Sequence, residues 1–466
     1  MSSLRAGTPT SPGLPTPAGL RGLDLEHRVA TATSWRAWLR TGPGVGGRLM
    51  AGIALALLGM RQSFSVPGAY GVGMTMLLLI ALVWYVVALV GLRHPIGARP
   101  IAVVVAAYLA TSMASYANAF SRGLPAASAK DADRALTADF YLIGSLFFIL
   151  DMIRTRADLE MFLRALVIGG TFSSVMGLAQ FATGVDVGAI VHLPGLVDTG
   201  NLLSAGLQRE GLNRPQGAAG HPLELSAILT ILTPLAVGLV FSARARHERI
   251  WPWAACTVLL LGGALVTVSR SAIVGLLVAV AVMSWRWPIT RVAAISVGGV
   301  LVAIGAVLSG LKVVSALVAT FVGSSTDTSI GSRVTGVSYV AEHYQEHLLL
   351  GQGLGVYTSL GQPLLDDQYL GRLMEAGVLG LVVYVLLLIV PLVLAFRASA
   401  SRDTSTAELA GSIAGALAAL MVINLILDTA GFSQIWALTW ILIALAGVVW
   451  RATADERQLI VKPVRR

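Results

Sequence analysis

Cysteine is almost missing from this chain. Cys256 is the one example in 466 residues, and it lies in an apolar run, which excludes an internal disulfide and any cysteine-held metal cluster. Charge is scarce as well. Only 12% of residues are charged against 56% hydrophobic, too little polar surface to coat a water-soluble globule of this length. Lysine is rare, three against thirty arginines, an imbalance better ascribed to genome composition than to chemistry. Outside the apolar runs there is no repeat period that would indicate a solenoid or propeller. No apolar core follows the initial Met closely, so a cleavable signal peptide is not expected. Pro, Gly and Ser crowd the first twenty residues, and residues 1–45 read as a disordered tail.

What the chain has instead is apolar runs. Taking ~20 apolar residues as one helical span, twelve are expected, at roughly 46–60, 70–92, 100–119, 136–153, 161–182, 222–242, 251–268, 271–287, 292–311, 374–396, 408–427 and 433–450. The fold class expected is all-α, a polytopic transmembrane bundle with a large extracytoplasmic loop, 312–372, between spans 9 and 10. Residues 46–182 hold the first five spans, 183–396 the region around that loop, 397–450 the last two spans, and 451–466 a second tail. An even number of spans puts both termini on one side. Arg93, Arg99, Arg154, Arg156, Arg244, Arg246, Arg249, Arg286, Arg291, Arg397 and Arg402 all fall on that side, so it is expected to be cytoplasmic. The protein is then a multi-pass component of the cytoplasmic (inner) membrane. Its net charge of +9 follows from topology and contact with anionic lipid, and no nucleic-acid partner is needed.

The run from Trp251 to Trp287 is too long for one span, at about 55 Å against ~30 Å of hydrocarbon. It must fold back near Ser269, with Trp251 and Trp253 mirroring Trp285 and Trp287 as interfacial anchors and Arg270 at the top of the hairpin.

Several polar groups could carry chemistry, each with a plainer alternative. Arg214, in NRPQGAAGHP, sits in a glycine-rich loop that could bring backbone amides and a guanidinium to an oxyanion, or could simply contact lipid headgroups. Arg270 at a tight turn is either a binding group or a snorkelling cation. Asp366 and Asp367, with Glu375 behind them, are either a reactive pair or a solvated turn. Together, two arginines and a carboxylate on one membrane face are what transfer from an anionic lipid diphosphate would need. His343, Glu346 and His347 spell H-x-x-E-H, the inverted zinc-protease pattern, but no third ligand is evident and the segment also suits an amphipathic interfacial helix. Gly351, Gly353 and Gly355 lack the strand-to-helix context of a dinucleotide loop and read as a tight turn.

From about Gly211 to Tyr384 the chain resembles the O-antigen ligase and polymerase superfamily of bacterial membrane glycosyltransferases. The pieces that carry the resemblance are Arg214 with Gly217 and His221-Pro222, TVSRSAIVG around Arg270, GSRVTG around Arg333, LLGQGLGVY, and DDQYLGRLMEAGVLG. The resemblance implies an inverting, metal-independent enzyme that takes a glycan from a polyprenyl diphosphate donor at the outer face of the membrane and passes it to a glycan, lipid or protein acceptor, without a cofactor. It puts Arg214 and Arg270 on the diphosphate and adds Arg333, His221, Asp367, Tyr369, Arg372 and Glu375 to the expected substrate-binding set. There is one departure. Ligases of the family carry a histidine eleven residues before the glycine of the last motif, and counting back from Gly377 lands on Asp366. Asp at this place is closer to exopolysaccharide polymerases, so a repeat-unit polymerase with Asp366 as base is expected first and a ligase second. A polysaccharide or lipid transporter or flippase is the alternative from another class, and a zinc peptidase a more distant one.

Overall fold

The computed structural model describes residues 42–62, 64–65, 71–90, 98–186, 197–198, 208–209, 212–308, 310, 312–322 and 328–454. The expected tails, apart from their inner ends, and much of the 183–211 stretch lie outside the described residues.

Fourteen α-helices are described: α1 (Val45–Gly59), α2 (Val72–Leu89), α3 (Arg99–Ser121), α4 (Ala126–Met152), α5 (Arg156–Thr183), α6 (Pro222–Ala245), α7 (Trp251–Val266), α8 (Arg270–Ser284), α9 (Ile289–Leu308), α10 (Lys312–Val322), α11 (Thr328–His343), α12 (Gln368–Ala398), α13 (Thr404–Ile423) and α14 (Ser433–Ala452). Two antiparallel pairs of two-residue strands, Phe64–Ser65 with Val197–Asp198 and Gln208–Arg209 with Leu212–Asn213, are the only sheet among them. Nine of the helices are long and apolar enough to cross a membrane, and α1, α7 and α8 are shorter apolar helices. Each of these twelve coincides with one span expected from the sequence. The architecture is the all-α polytopic bundle.

The short α7 and α8 form the expected hairpin. Only Thr267, Val268 and Ser269 separate them, and Val268 takes a left-handed φ of 50° that a β-branched residue rarely adopts. It is held there by packing, since Val268 is fully buried against Ala316 and Leu317 of α10. Trp251 and Trp285 stand 78% and 79% exposed at the opposite end, as interfacial anchors would.

Helices α6, α13 and α14 form the interior, most of each being buried, whereas α2 and α9 stand at the edge. Small residues permit the close packing. A Cβ on Gly238 would come within 2.4 Å of the Ser412 side chain, and one on Gly275 within 2.8 Å of Thr230.

One face carries a charge network centred on Glu160 of α5, which pairs with Arg156, Arg164 and Arg246. Arg156 also reaches Asp403 at 3.6 Å, and Arg164 reaches Glu248 at 3.3 Å. The loops before α5, after α6 and before α13 therefore share one end of the bundle, as a regular alternation of spans requires.

The polar stretch 312–372 is more ordered than a loop. Besides α10 and α11 it holds two 3₁₀ turns, Tyr344–His347 and Tyr357–Leu360, with Val340, Tyr357, Leu365 and Met374 packed beneath them. Its glycines dock on a break in α12, where Gly377 adopts φ 67° and ψ −170°. The break frees backbone groups that need partners. Val378 N donates to Leu348 O at 2.8 Å, while Gln352 N and Gly353 N donate to Met374 O and Glu375 O at 2.8 and 2.9 Å. A Cβ at Gly351 would fall 2.3 Å from the Glu375 backbone, and one at Gly377 would fall 2.3 Å from Leu349. The expected tight turn at 351–355 is thus one half of a backbone joint. Its other half is the glycine of the last motif.

Candidate active site

Arg214 enters from the segment before α6. Its Nε donates to Thr267 O at 2.8 Å, so the guanidinium is tied to the very turn that presents Arg270 at the first position of α8. The two expected diphosphate-binding arginines therefore share one corner. The loop behind Arg214 does not, however, offer the free amides expected of it. Gln216 N and Gly217 N donate to Gln180 Oε1, Ala218 N to Ser173 Oγ, Ala219 N to Gln216 O and Gly220 N to Glu224 Oε2. Those donors are consumed in bracing the loop, and recognition of an anion falls to the side chains.

His221 is the N-cap of α6, its Nδ1 accepting the Leu223 amide at 3.1 Å. With Nδ1 used as an acceptor, the neutral ring carries its proton on Nε2. Burial and then the Arg214 charge hold the imidazole below its ordinary range, with Asp366 opposing. The ring stays neutral at pH 7 and presents a donor.

Asp366 lies just ahead of α12, half exposed, with Oδ2 3.8 Å from Arg333 Nε. Arg333 also donates from Nη2 to Ile426 O at 3.2 Å, bridging α11 to the segment between α13 and α14. The next residue has a different task. Asp367 is the N-cap of α12, its Oδ1 accepting the amides of Tyr369 and Leu370 at 2.8 and 3.0 Å. Burial raises its carboxyl above the usual range, and those two amides and Arg333 pull it back.

Asp428 was not anticipated from the sequence. Burial pushes its carboxyl up, the Gly431 amide, Arg372 and the Ala430 amide oppose, and Asp366 adds to the rise, which puts the two carboxyls within electrostatic reach of each other. A signal was available. Asp428 is the sole acidic residue between Glu408 and Asp455. Its segment is anchored by Gln368, whose N donates to Asn424 O at 2.9 Å and whose Oε1 accepts Ala430 N at 2.6 Å. Phe432 in the same segment lies against the His221 ring, 5.8 Å between centroids.

The structure thus gathers Arg214, His221, Asp366, Arg333 and Asp428 at the end of the bundle where the hairpin carries Arg270. Three further expected residues, Tyr369, Arg372 and Glu375, lie on the first turns of α12. Tyr369 donates its hydroxyl to Met421 O at 3.0 Å. Glu375 offers its main-chain oxygen to Ser115 Oγ at 2.7 Å as well as to Gly353. Arg372 is only 4% exposed, enclosed by the rings of Tyr108, Tyr384 and Trp436 at 5.2 to 5.6 Å, with Nη2 bonded to Tyr108 Oη at 2.5 Å. Its contacts are those of an internal clamp, since Tyr108 in turn donates to Asp139 at 3.1 Å.

H-x-x-E-H is not laid out as a zinc site. Helix α11 ends at His343 and His347 lies on the following 3₁₀ turn, so the one-turn helical spacing of two ligands is lost. His343 stacks on Tyr339 at 4.1 Å, and His347 meets the Arg122 guanidinium at 2.7 Å. Among the described residues no three His, Cys, Asp or Glu side chains come together as a metal set.

Residues 255–385 match the family model described as O-Antigen ligase. The match covers the hairpin with Arg270, Arg333, the glycine joint and Asp366 through Glu375, and begins after Arg214 and His221. It places this stretch in the O-antigen ligase and polymerase superfamily. No curated protein matches the chain.

Proposed function

We propose that this chain, with its stretch of the O-antigen ligase and polymerase superfamily, is a lipid-linked glycan polymerase. It uses Asp366 as general base and Arg214 and Arg270 to bind the diphosphate of a polyprenyl-linked donor at the outer face of the membrane. A hydroxyl of the acceptor glycan attacks the anomeric carbon of the donor sugar as the bond from that carbon to the diphosphate oxygen breaks. Asp366 takes the hydroxyl proton, and the diphosphate leaves with the electron pair. A single displacement of this kind inverts the anomeric centre. The charge that grows on the leaving group meets guanidiniums, whose planar forks suit phosphate oxygens, so the step needs neither an acid nor a metal ion.

The observation that carries this reading is the pairing of Asp366 with Arg333 at 3.8 Å in the same cluster as Arg214 and His221. His221 supports the choice of base. With Nδ1 capping α6 and the proton on Nε2, it is disposed to donate a hydrogen bond to donor or acceptor, which leaves a carboxylate to accept the proton. Ligation to a lipid or protein acceptor would use the same groups and differ only in what delivers the hydroxyl.

Asp366→Asn keeps the size and loses the basicity, so transfer from purified lipid-linked donor should fall by about 10²–10⁴-fold while donor binding persists. Asp367→Asn is the control. Asn caps a helix about as well as Asp, so this variant should retain expression and nearly all activity. Full turnover by Asp366→Asn, or equal losses in the two variants, would end the assignment of Asp366 as base.

A further inference from the structure

A polar hollow, lined by neither Arg214 nor Arg270, lies between the α3–α4 connection and the segment that follows α11. It has a volume of about 250 Å³, and its walls include Arg122, Glu346, His347, Gln352, Leu360 and Gln362. Only Pro363, Leu364 and Leu365 separate Gln362 from Asp366, so the hollow lies within about 14 Å of the proposed base along even a fully extended chain.

The donor inventory of its walls decides what could bind there. Arg122 is the cation in the wall, and it is committed. Its Nε donates to Asn118 O, its Nη2 to Gly351 O and Gln352 O, and its Nη1 meets His347. It fastens the glycine joint and is a poor anchor for an anion. Gln362 Nε2 donates to Gln352 Oε1 at 2.9 Å, while Gln362 Oε1 meets no donor among the described residues. That acceptor is enclosed, and a rotation of the amide is what would offer it to a hydroxyl in the hollow. Glu346 adds an anionic acceptor, which disfavours an anionic ligand, while Arg122 and His347 disfavour a cation. Paired amides with surplus acceptors in a small hollow suit a neutral, hydroxyl-rich ring.

We propose that this hollow is a subsite for a neutral sugar ring of the acceptor glycan, holding the chain whose hydroxyl reaches Asp366. The assignment deepens the glycosyl-transfer reading and rests on it. It gives the acceptor a place separate from the donor diphosphate and explains how one face can hold two glycans at once.

The probe is the repeat-unit oligosaccharide released from the lipid carrier by mild acid and dephosphorylated, titrated calorimetrically into the full-length protein in nanodiscs. Leu124 also lines the hollow and lies in an irregular segment, so Leu124→Trp fills it, and Gln362→Leu removes an amide. Each should weaken oligosaccharide binding at least tenfold and leave the binding of undecaprenyl diphosphate unchanged. Parental oligosaccharide binding in both variants overturns the subsite, as does competition between the oligosaccharide and undecaprenyl diphosphate for one site. Arg270→Lys separates the two readings. If both hold, it loses transfer and keeps oligosaccharide binding. Should Arg270→Lys transfer normally while Leu124→Trp loses the oligosaccharide, the donor assignment fails and the sugar site stands.

Discussion

At His221 a single ring nitrogen links helix capping to pH. Nδ1 can accept the Leu223 amide only while the ring is neutral, and an imidazolium has no acceptor to offer. The folded state holds the ring below its ordinary range, through burial first and the Arg214 charge second, so protonation is disfavoured in the fold. Its stabilising contribution is therefore present above the ordinary value of ~6.5 and is lost as pH falls through the lower folded value. Thermal stability of the purified protein should drop between pH 7 and pH 5. His221→Asn, which caps without titrating, should remove that part of the drop, since the raised carboxyls of Asp367 and Asp428 are the same in both proteins. An unchanged pH profile in His221→Asn would show that the acid sensitivity lies elsewhere.

Residue identity was readable from the sequence where a charge breaks an apolar run, as Arg270 does. It was not readable where the same type of residue does a different job. The count back from Gly377 singles out Asp366 but says nothing of its neighbour, and only the hydrogen bonds of Asp367 to Tyr369 and Leu370 assign it to the cap. Arg372 likewise has the composition of a ligand but the surroundings of a core residue.

Among the elements, α12 shows what a glycine at one position imposes. The segment after the break, Val378–Ala398, is about 31 Å long at the α-helical rise and can cross the hydrocarbon unaided. The segment before it, Gln368–Ala376, is thereby free to tilt its N-cap and the adjacent Asp366 toward the site. A side chain at Gly377 meets both obstacles at once, a left-handed φ and the Leu349 backbone at 2.3 Å. Gly377→Ala should lower stability by about 1–3 kcal/mol, read as a fall in detergent-solubilised melting temperature. Gly371→Ala, where a Cβ meets nothing within 4 Å, should not. Equal melting temperatures in the two variants would remove the joint as a structural requirement.

Most spans were legible because hydropathy and length suffice to define them. The joint was not, because its signal is a set of backbone contacts between residues far apart in the chain, such as Leu348 with Val378, and glycines in sequence do not say what approaches them. The Ala-rich stretch 126–135 is similar. It reads as a polar outer loop, yet it starts at the Pro125 cap and continues straight into α4, its helix-forming residues extending the helix beyond the apolar run.

For the whole molecule, the two ends of the bundle differ in kind. The Glu160 network occupies one end, and the site with its sugar hollow belongs to the helix ends and connections opposite. By the arginine distribution the first end is expected to be the cytoplasmic one. In a Cys256→Ser background, Leu364→Cys, at a side chain 77% exposed, should react with an impermeant thiol reagent in intact cells, and Thr404→Cys should react only after lysis. Reversed labelling would put the proposed chemistry on the wrong side of the membrane.

The separation of the joint from the rest of the site also fixes an order of assembly. The bonds of the joint, from Val378 N to Leu348 O, Gln352 N to Met374 O and Gly353 N to Glu375 O, all lie inside one short window of chain, and contacts of this range close early. Gln368 and Arg333, by contrast, need Asn424, Ile426 and Ala430, which leave the ribosome later. During synthesis the protein therefore holds a finished hinge before the cluster around Asp366 is complete, and a nascent chain stalled within α13 would carry Asp366 on a rigid mount with nothing yet to hold it in register.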